Sequence, residues 1–353
     1  MSLRFRPLLR GAALALALIE SSRAGMLVIP FAMSSPEYGV GFGVKARDRD
    51  LFGGSGYGDL TAMYTTRKQW FVEFTGLRDS IDGVWRLGGN LEVGVFPDVY
   101  GGDGSPVPAS ALATYTPTYL QGTAFFGRWF PGGIRFDAGL WFDRRTIVLG
   151  DSNALAAVAV DPAKWPYGGD QVRATFEGQW NDLDHPDDPH HGATLVAHFE
   201  PPVPGSDWGE GYVQGTLVRT PLEAGPIVAL RVRHEEATGN IPFWLEPNAG
   251  ESSILRGLPD YRVRGRAVQT GGLELRQPLD LLGFSEQIVA FGELSRAGDG
   301  TGVWSADPVL GFGCGGRLLL DDRHAVLRGD LGWNTAPGAG LFPSIYIDFG
   351  QAF

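Results

Sequence analysis

The last ten residues, Ser344 to Phe353, read SIYIDFGQAF. Ile345, Ile347, Phe349 and Phe353 share one parity. Ser344, Tyr346, Asp348, Gly350 and Ala352 share the other. Successive side chains of a strand point to opposite faces, so the spacing predicts a strand with one apolar face. Gln351 is polar on the apolar parity. A soluble sandwich and a membrane-spanning barrel can both end on such a strand. The rest of the chain decides between them.

The same alternation recurs along the sequence. Trp85, Leu87, Leu91, Val93 and Val95 oppose Arg86, Asn90 and Glu92. Ile134, Phe136, Ala138, Leu140 and Phe142 oppose Arg135, Asp137, Trp141 and Asp143. Val172, Ala174, Phe176 and Trp180 oppose Gln171, Arg173, Thr175, Glu177 and Gln179. Val228, Leu230 and Val232 oppose Arg231 and Arg233, and Val40, Phe42, Val44 and Ala46 oppose Lys45 and Arg47. No helical period and no linker interrupts this pattern. A soluble sheet protein of this length would divide into domains, whereas a closed barrel encloses a lumen and remains one unit. At about 20 residues per strand and connection, the chain holds roughly 16 strands, the first a short one near Met26 to Met33. The fold class expected is all-β: a transmembrane antiparallel β-barrel.

Connections alternate in length. Pro131–Gly133, Leu222–Ala224 and Asp321–Arg323 are short. Phe96–Ser110, Leu149–Gly169 and Ala237–Arg266 are long. Outer-membrane barrels keep short turns on the periplasmic side and long loops outside, so the long ones are placed outside.

At the amino end, Arg4, Arg6 and Arg10 precede the apolar run Gly11 to Ile19, and Ser22-Arg23-Ala24 follows. A basic start, a short apolar core and a small-x-Ala site predict a secretory leader over residues 1–24, a mature start near Gly25 and a barrel over 25–353. No Cys lies near that site, so no lipoprotein anchor is expected. No later segment approaches the roughly 20 apolar residues of a spanning helix.

Loss of residues 1–24 would remove four Arg and one Glu from 29 basic and 40 acidic residues, leaving a net charge near −14. Nucleic acid needs a basic footprint and is excluded as a partner. The 52 Gly, 10 Trp, 10 Tyr and 21 Phe suit strands, tight turns and interfacial girdles. Cys314 is the only cysteine, which excludes an internal disulfide and any multi-Cys metal site.

Several stretches resemble the BamA/TamA outer-membrane assembly-factor superfamily, the bacterial surface antigens. Leu255-Arg256-Gly257-Leu258-Pro259-Asp260, with Arg262 and the strand Gly272 to Leu279, is similar to its (V/L)RG(Y/F) loop and the strand that leaves it. Phe291 to Arg296 is similar to its F-x-D-x-G strand, with Glu293 and Ser295 replacing the usual Asp and Gly. Leu258 replaces the usual aromatic. Arg317 to Trp333, with its Leu-Arg-Gly-Asp-Leu-Gly core, the terminal Phe-Gly-Gln-Ala-Phe, the Asp-rich turn Trp180 to Gly192 and the start Ser35 to Gly39 complete the likeness. Only about ten residues separate the expected leader from the first clear strand, so the resemblance is to a member lacking POTRA domains.

The resemblance implies a lumenal plug loop carrying Arg256, Gly257, Asp260 and Arg262, with Arg256 meeting a carboxylate on the barrel wall. Parity supports the geometry. Ile288, Ala290 and Leu294 mark the lipid face, so Glu293 and Ser295 face inward, and Glu274 faces inward as the rival partner. A planar guanidinium suits a carboxylate in a confined space. A solvated loop arginine is the plainer alternative. The resemblance further implies that the last strand, with Phe349 and Phe353, is read by the cell's assembly machinery.

Other candidates weigh less. His185, His190 and His191 among Asp182, Asp184, Asp187 and Asp188 contain metal-ligand types, but Pro186 and Pro189 break any fixed spacing, so a solvated polar turn is preferred and no metal is expected. Gly311 to Gly316 matches G-x-G-x-x-G but leads into a strand, so no dinucleotide or other cofactor is expected. Neither G-x-S-x-G nor H-E-x-x-H occurs. The leading reading is a non-enzymatic outer-membrane barrel that assists protein insertion or translocation. It would contact outer-membrane lipid, with room for a separate periplasmic partner. A passive or substrate-specific pore, a structural surface antigen, and a lipid-acting Ser-His barrel enzyme remain open.

Deleting Phe353 removes one terminal ring, worth ~1–3 kcal/mol of burial at most. Outer-membrane levels in cells are therefore expected to drop sharply while detergent refolding of the purified barrel stays nearly intact. Equal losses in the two assays would make Phe353 a stability residue instead.

Overall fold

The computed structural model describes residues 19–20, 26–35, 39–48, 51, 56–102, 104, 112–150, 168–185, 188–203, 206–222, 225–250, 254–258, 262–281, 284–319, 326–339, 343–349 and 351–352. Outside them lie Asp260, Phe353, the turn Asp321–Arg323 and the expected leader apart from Ile19 and Glu20.

The strand segments are β1 (Ile19–Glu20), β2 (Met26–Ser35), β3 (Gly39–Asp48), β4 (Gly56–Thr65), β5 (Trp70–Ile81), β6 (Trp85–Val95), β7 (Asp98–Tyr100), β8 (Ala113–Phe130) and β9 (Ile134–Leu149). They continue with β10 (Gly168–Asn181), β11 (Gly192–Glu200), β12 (Gly209–Arg219), β13 (Ile227–Thr238), β14 (Ala267–Leu281), β15 (Phe284–Gly298), β16 (Val309–Leu319), β17 (Val326–Asn334) and β18 (Ser344–Phe349). All belong to one sheet. β6 and its continuation β7 both pair with β8, and the two-residue β1 pairs with β2. Among the described residues the wall therefore has 16 strands. Neighbours in sequence pair antiparallel around the wall, and β18 lies beside β2, so the sheet is nearly closed. Closure removes the unpaired edges that an open sheet would present.

Burial runs opposite to that of a soluble sheet. Val232 is 67% exposed and its neighbour Arg231 only 3%. On β9 and β10, Phe136, Leu140, Val172 and Phe176 are exposed, while Asp143 and Arg173 are buried. Apolar side chains outside and charges inside are what a hydrocarbon surround imposes on a closed sheet.

The described parts of the long connection between β13 and β14 turn inward and pack against the inner wall. A short 3-10 turn, Phe243–Leu245, packs Phe243 and Trp244 on Tyr100, Tyr115 and Ile147. Further along the loop, Ala249, Leu255, Leu258 and Val263 pack on Val268, Ala297, Val309 and Ala336. The lumen thus holds small dry clusters between charged groups.

Two expectations are corrected. The ladder between β17 and β18 runs from Leu327↔Phe349 to Gly332↔Ser344 and ends there, so strand parity stops applying after Phe349. Gln351 consequently faces the lumen, not lipid: its Oε1 accepts from Arg317 Nε at 3.0 Å and its Nε2 donates to Asp188 Oδ1 at 3.0 Å. The turn between β10 and β11 is not simply solvated, because Asp188 is buried beneath the barrel.

Val232→Arg tests which solvent surrounds the wall. In a bilayer, near mid-strand, the change should cost roughly 2–4 kcal/mol in folding into lipid vesicles. A water-exposed position would tolerate it within about 0.5 kcal/mol, and that outcome would contradict the inside-out reading.

Candidate functional site

The inward parity of four adjacent strands builds the site. β14 presents Glu274 and Arg276, β15 presents Phe291 and Glu293, β16 presents Arg317, and β17 presents Arg328 and Asp330. The register sets Glu293 opposite Gly311, Phe291 opposite Gly313, and Asp330 opposite Gly315. These bare glycines leave a slot, and the loop enters it. A Cβ on Gly311 would lie 2.7 Å from the Arg256 carbonyl oxygen, and one on Gly332 would lie 2.6 Å from Gly257 N. Gly257 itself has φ 92°, a left-handed conformation that favours glycine, and a side chain there would meet the Trp333 carbonyl at 2.6 Å.

Arg256 is the centre of this slot, with no exposed surface. Its Nε donates to Glu293 Oε1 at 2.8 Å, and its backbone N–H donates to Glu293 Oε2 at 2.6 Å. Nη1 donates to Glu274 Oε2 at 2.7 Å and to Asp330 Oδ2 at 3.0 Å. The guanidinium lies 3.5 Å from the centre of the Phe291 ring, stacking as well as pairing. Burial works against the Arg256 charge, but Glu274, Glu293 and Asp330 more than offset it and hold its pKa above the ordinary arginine value. Arg276 Nε donates to Glu274 Oε1 at 2.7 Å, and Arg317 Nη1 donates to Asp330 Oδ1 at 2.6 Å. Three carboxylates are thereby satisfied by several guanidinium forks, the arrangement that makes a buried charged cluster tolerable.

The same groups reach the end of the chain. Gly257 N donates to the Tyr346 hydroxyl of β18 at 3.0 Å. Arg231 Nη2 donates to the Ile254 carbonyl at 2.7 Å and its Nη1 to the Ala352 carbonyl at 3.2 Å. Below, Asp188 Oδ1 accepts from Gln287 Nε2 at 2.9 Å as well as from Gln351. His190 Nε2 stands 3.3 Å from Asp188 Oδ2.

A second anchor holds the far side of the loop. Arg264 Nη1 donates to the Phe243 carbonyl at 2.7 Å, while Nη2 reaches Asp98 Oδ2 at 2.8 Å and the Tyr115 hydroxyl at 2.7 Å. β7 and β8 lie well around the wall from β14, so the loop straps the lumen between the two anchors.

Of the residues singled out from sequence, Arg256, Gly257, Glu274 and Glu293 come together. Arg262 is buried elsewhere and donates to the Pro337 carbonyl. Asp260 and Phe353 lie outside the described residues, and Phe349 is placed by its backbone pairing to Leu327. Sequence reading missed Asp330 and Arg317 as partners, although both share the inward parity of their strands. It also missed the Arg264–Asp98–Tyr115 anchor, for which nothing local gave a signal. Among the described residues no group of three or more His, Cys, Asp or Glu could hold a metal ion.

BamA from Haemophilus ducreyi lacking POTRA domains 1–3 superposes with a TM-score of 0.56 at 15% identity, over 93% of this chain and 70% of that one. CdiB from Acinetobacter baumannii gives 0.59 at 13% identity, over 92% and 59%. CdiB from Escherichia coli gives 0.58 at 10% identity, over 92% and 61%. The barrel shares their fold. This chain spans about three fifths of the length of the two CdiB chains. No family model and no curated protein matches the sequence.

Arg256→Ala would strip Glu293 of its guanidinium partner and take one donor each from Glu274 and Asp330. Removing one member of a buried pair costs roughly 3–5 kcal/mol, less where water enters. The expected result is a lower urea midpoint and a larger single-channel conductance in planar bilayers. Arg256→Lys should recover only part of both, since a point charge cannot serve Glu293 and Glu274 with one planar fork. Wild-type conductance in Arg256→Ala would show that the pair does not hold the loop.

Proposed function

We propose that this chain is an integral outer-membrane barrel that assists the insertion or translocation of polypeptides, of the general kind of the Omp85-superfamily outer-membrane translocons. The observation that carries the reading is the loop's mode of attachment. Two apolar clusters hold the loop, but its charged Arg256 segment is fastened by ion pairs and hydrogen bonds to β14, β15, β17 and β18, on the side of the wall that leads to the β18–β2 closure. A permanent plug could rest on apolar packing alone. A polar fastening can exchange its partners for water or for an incoming peptide, and through Tyr346, Arg231 and Gln351 its release would loosen the last strand. On this reading the work is conformational and requires no catalytic group.

Residues 1–24 act as a leader in this proposal, and the barrel begins near Gly25. Phe349 and Phe353 serve as the terminal signal for assembly, and Arg256, Gly257, Asp260 and Arg262 form the plug-loop motif with Glu293 and Glu274 as partners. A separate periplasmic protein would supply client delivery. The competing reading is a passive pore, which a loop anchored on two sides of the inner wall disfavours.

Depletion in the native cells separates the two. A translocon predicts loss of a discrete set of polypeptides from the outer membrane or the medium, with small-solute uptake unchanged. Slower uptake of small solutes with an unaltered protein profile would overturn the proposal in favour of the pore.

A further inference from the structure

The lipid-facing side of the wall carries a feature that translocation does not use. Register sets Trp85, Arg128, Phe136, Gly178 and Ala197 in one row across β6, β8, β9, β10 and β11. The next row toward the membrane centre is Leu87, Phe126, Ala138, Phe176 and Phe199. The phenylalanines stand exposed, while Ala138, Gly178 and Ala197 leave the floor low between them. The result is an apolar groove of about 450 Å³ near the short-turn end of the barrel. A Cβ on Gly178 would already sit 3.2 Å from the Phe136 ring, so the groove depends on that bare position.

Arg128 stands at its rim, exposed on the outward parity. Its guanidinium lies 4.9 Å from the Trp85 ring centre and 5.1 Å from that of Phe130. Among the described residues no carboxylate pairs with it. Arg78, exposed on the same face in the row of Leu87, is likewise without one and rims a neighbouring groove of about 440 Å³ over Gly76 and Gly89. Arg219 on β12 is also outward and, among the described residues, meets only the Val218 carbonyl, whereas another outward arginine is paired. Toward the long-loop end, Arg144 makes a two-pronged pair with Asp170 at 2.9 and 2.8 Å.

We propose that this patch is a binding site for a phospholipid with an anionic headgroup, its phosphate on Arg128 and an acyl chain along the Gly178–Ala197 groove. The proposal rests on the reading that the barrel spans a membrane. Three features favour a lipid over other occupants. The groove is apolar and opens sideways into the hydrocarbon. Its rim cation sits at the short-turn end, where a headgroup would lie. The guanidinium, oriented by two rings, offers a planar fork that matches a phosphate. An arginine that merely extended its head into the interface would need neither a groove nor a preference among lipids.

Trp85 supplies the readout. The refolded barrel is placed in phosphatidylcholine vesicles containing increasing brominated phosphatidylglycerol or, separately, brominated phosphatidylcholine. The Trp85 signal is the difference between wild type and Trp85→Phe. A basic side chain near an anionic surface is worth about 1 kcal/mol, or about fivefold in relative binding. Brominated phosphatidylglycerol should therefore quench at several-fold lower mole fraction than brominated phosphatidylcholine. Arg128→Gln should cut that preference about fivefold, and Gly178→Leu should weaken quenching by both lipids. Equal quenching by the two lipids, or a preference retained in the Arg78→Gln/Arg128→Gln double variant, would overturn the site. A heat-modifiable band on unboiled gels reports insertion independently. A chain that fails to insert removes the membrane reading and the site with it, whereas an inserted barrel without preference removes the site alone.

Discussion

Three carboxylates from three wall strands converge on one guanidinium carried by a loop. Glu274, Glu293 and Asp330 belong to β14, β15 and β17, and Arg256 belongs to the segment between β13 and β14. A closed sheet in hydrocarbon sends its apolar residues outward, so its charges must be satisfied inside. Without Arg256, Arg276, Arg317 and Arg328 still reach Glu274 and Asp330, but Glu293 loses the guanidinium that pairs with it. The loop is therefore part of what makes this quarter of the wall stable, and the wall in turn dictates where the loop lies. Glycines on β16 and β17 make the contact close enough for backbone as well as side chain to take part.

The same network touches the end of the chain. Arg231 bridges the loop carbonyl of Ile254 and the tail carbonyl of Ala352. Arg317 bridges the carboxylate cluster and Gln351. Asp188, from a turn far away in sequence, accepts from Gln351 and Gln287 beneath them. Plug, last strand and lower turn thus share partners, so a change in any one alters the others' hydrogen bonding. Coupling of this kind needs no long pathway, because the shared arginines contact both elements directly.

The fold was largely legible because a barrel in lipid writes its inside and outside into alternate residues. Leu230 and Val232 against Arg231, or Phe136 and Leu140 against Asp137, carry that pattern without help from distant sequence. Inward parity also singled out Glu274 and Glu293. The rest depends on register and on breaks in register. Asp330 joins the cluster because β17 slides into place beside β16, which no local pattern specifies. Gln351 escaped because alternation was extended past Phe349, where the ladder with β17 runs out. Asp188 escaped because a turn rich in Asp, His and Pro looks solvated until its neighbours across the barrel are known. Arg264, Asp98 and Tyr115 meet only after the lumen is enclosed.

The most direct measurement is amide hydrogen exchange on the barrel inserted in lipid, read over residues 254–258. The Arg256 N–H is bonded to a buried carboxylate and the Gly257 N–H to the Tyr346 hydroxyl. A loop fastened as described should exchange as slowly as β14 to β17, and Glu293→Ala should release it while those strands stay protected. Exchange over 254–258 as fast as in the exposed turn at 300–305 would contradict the account.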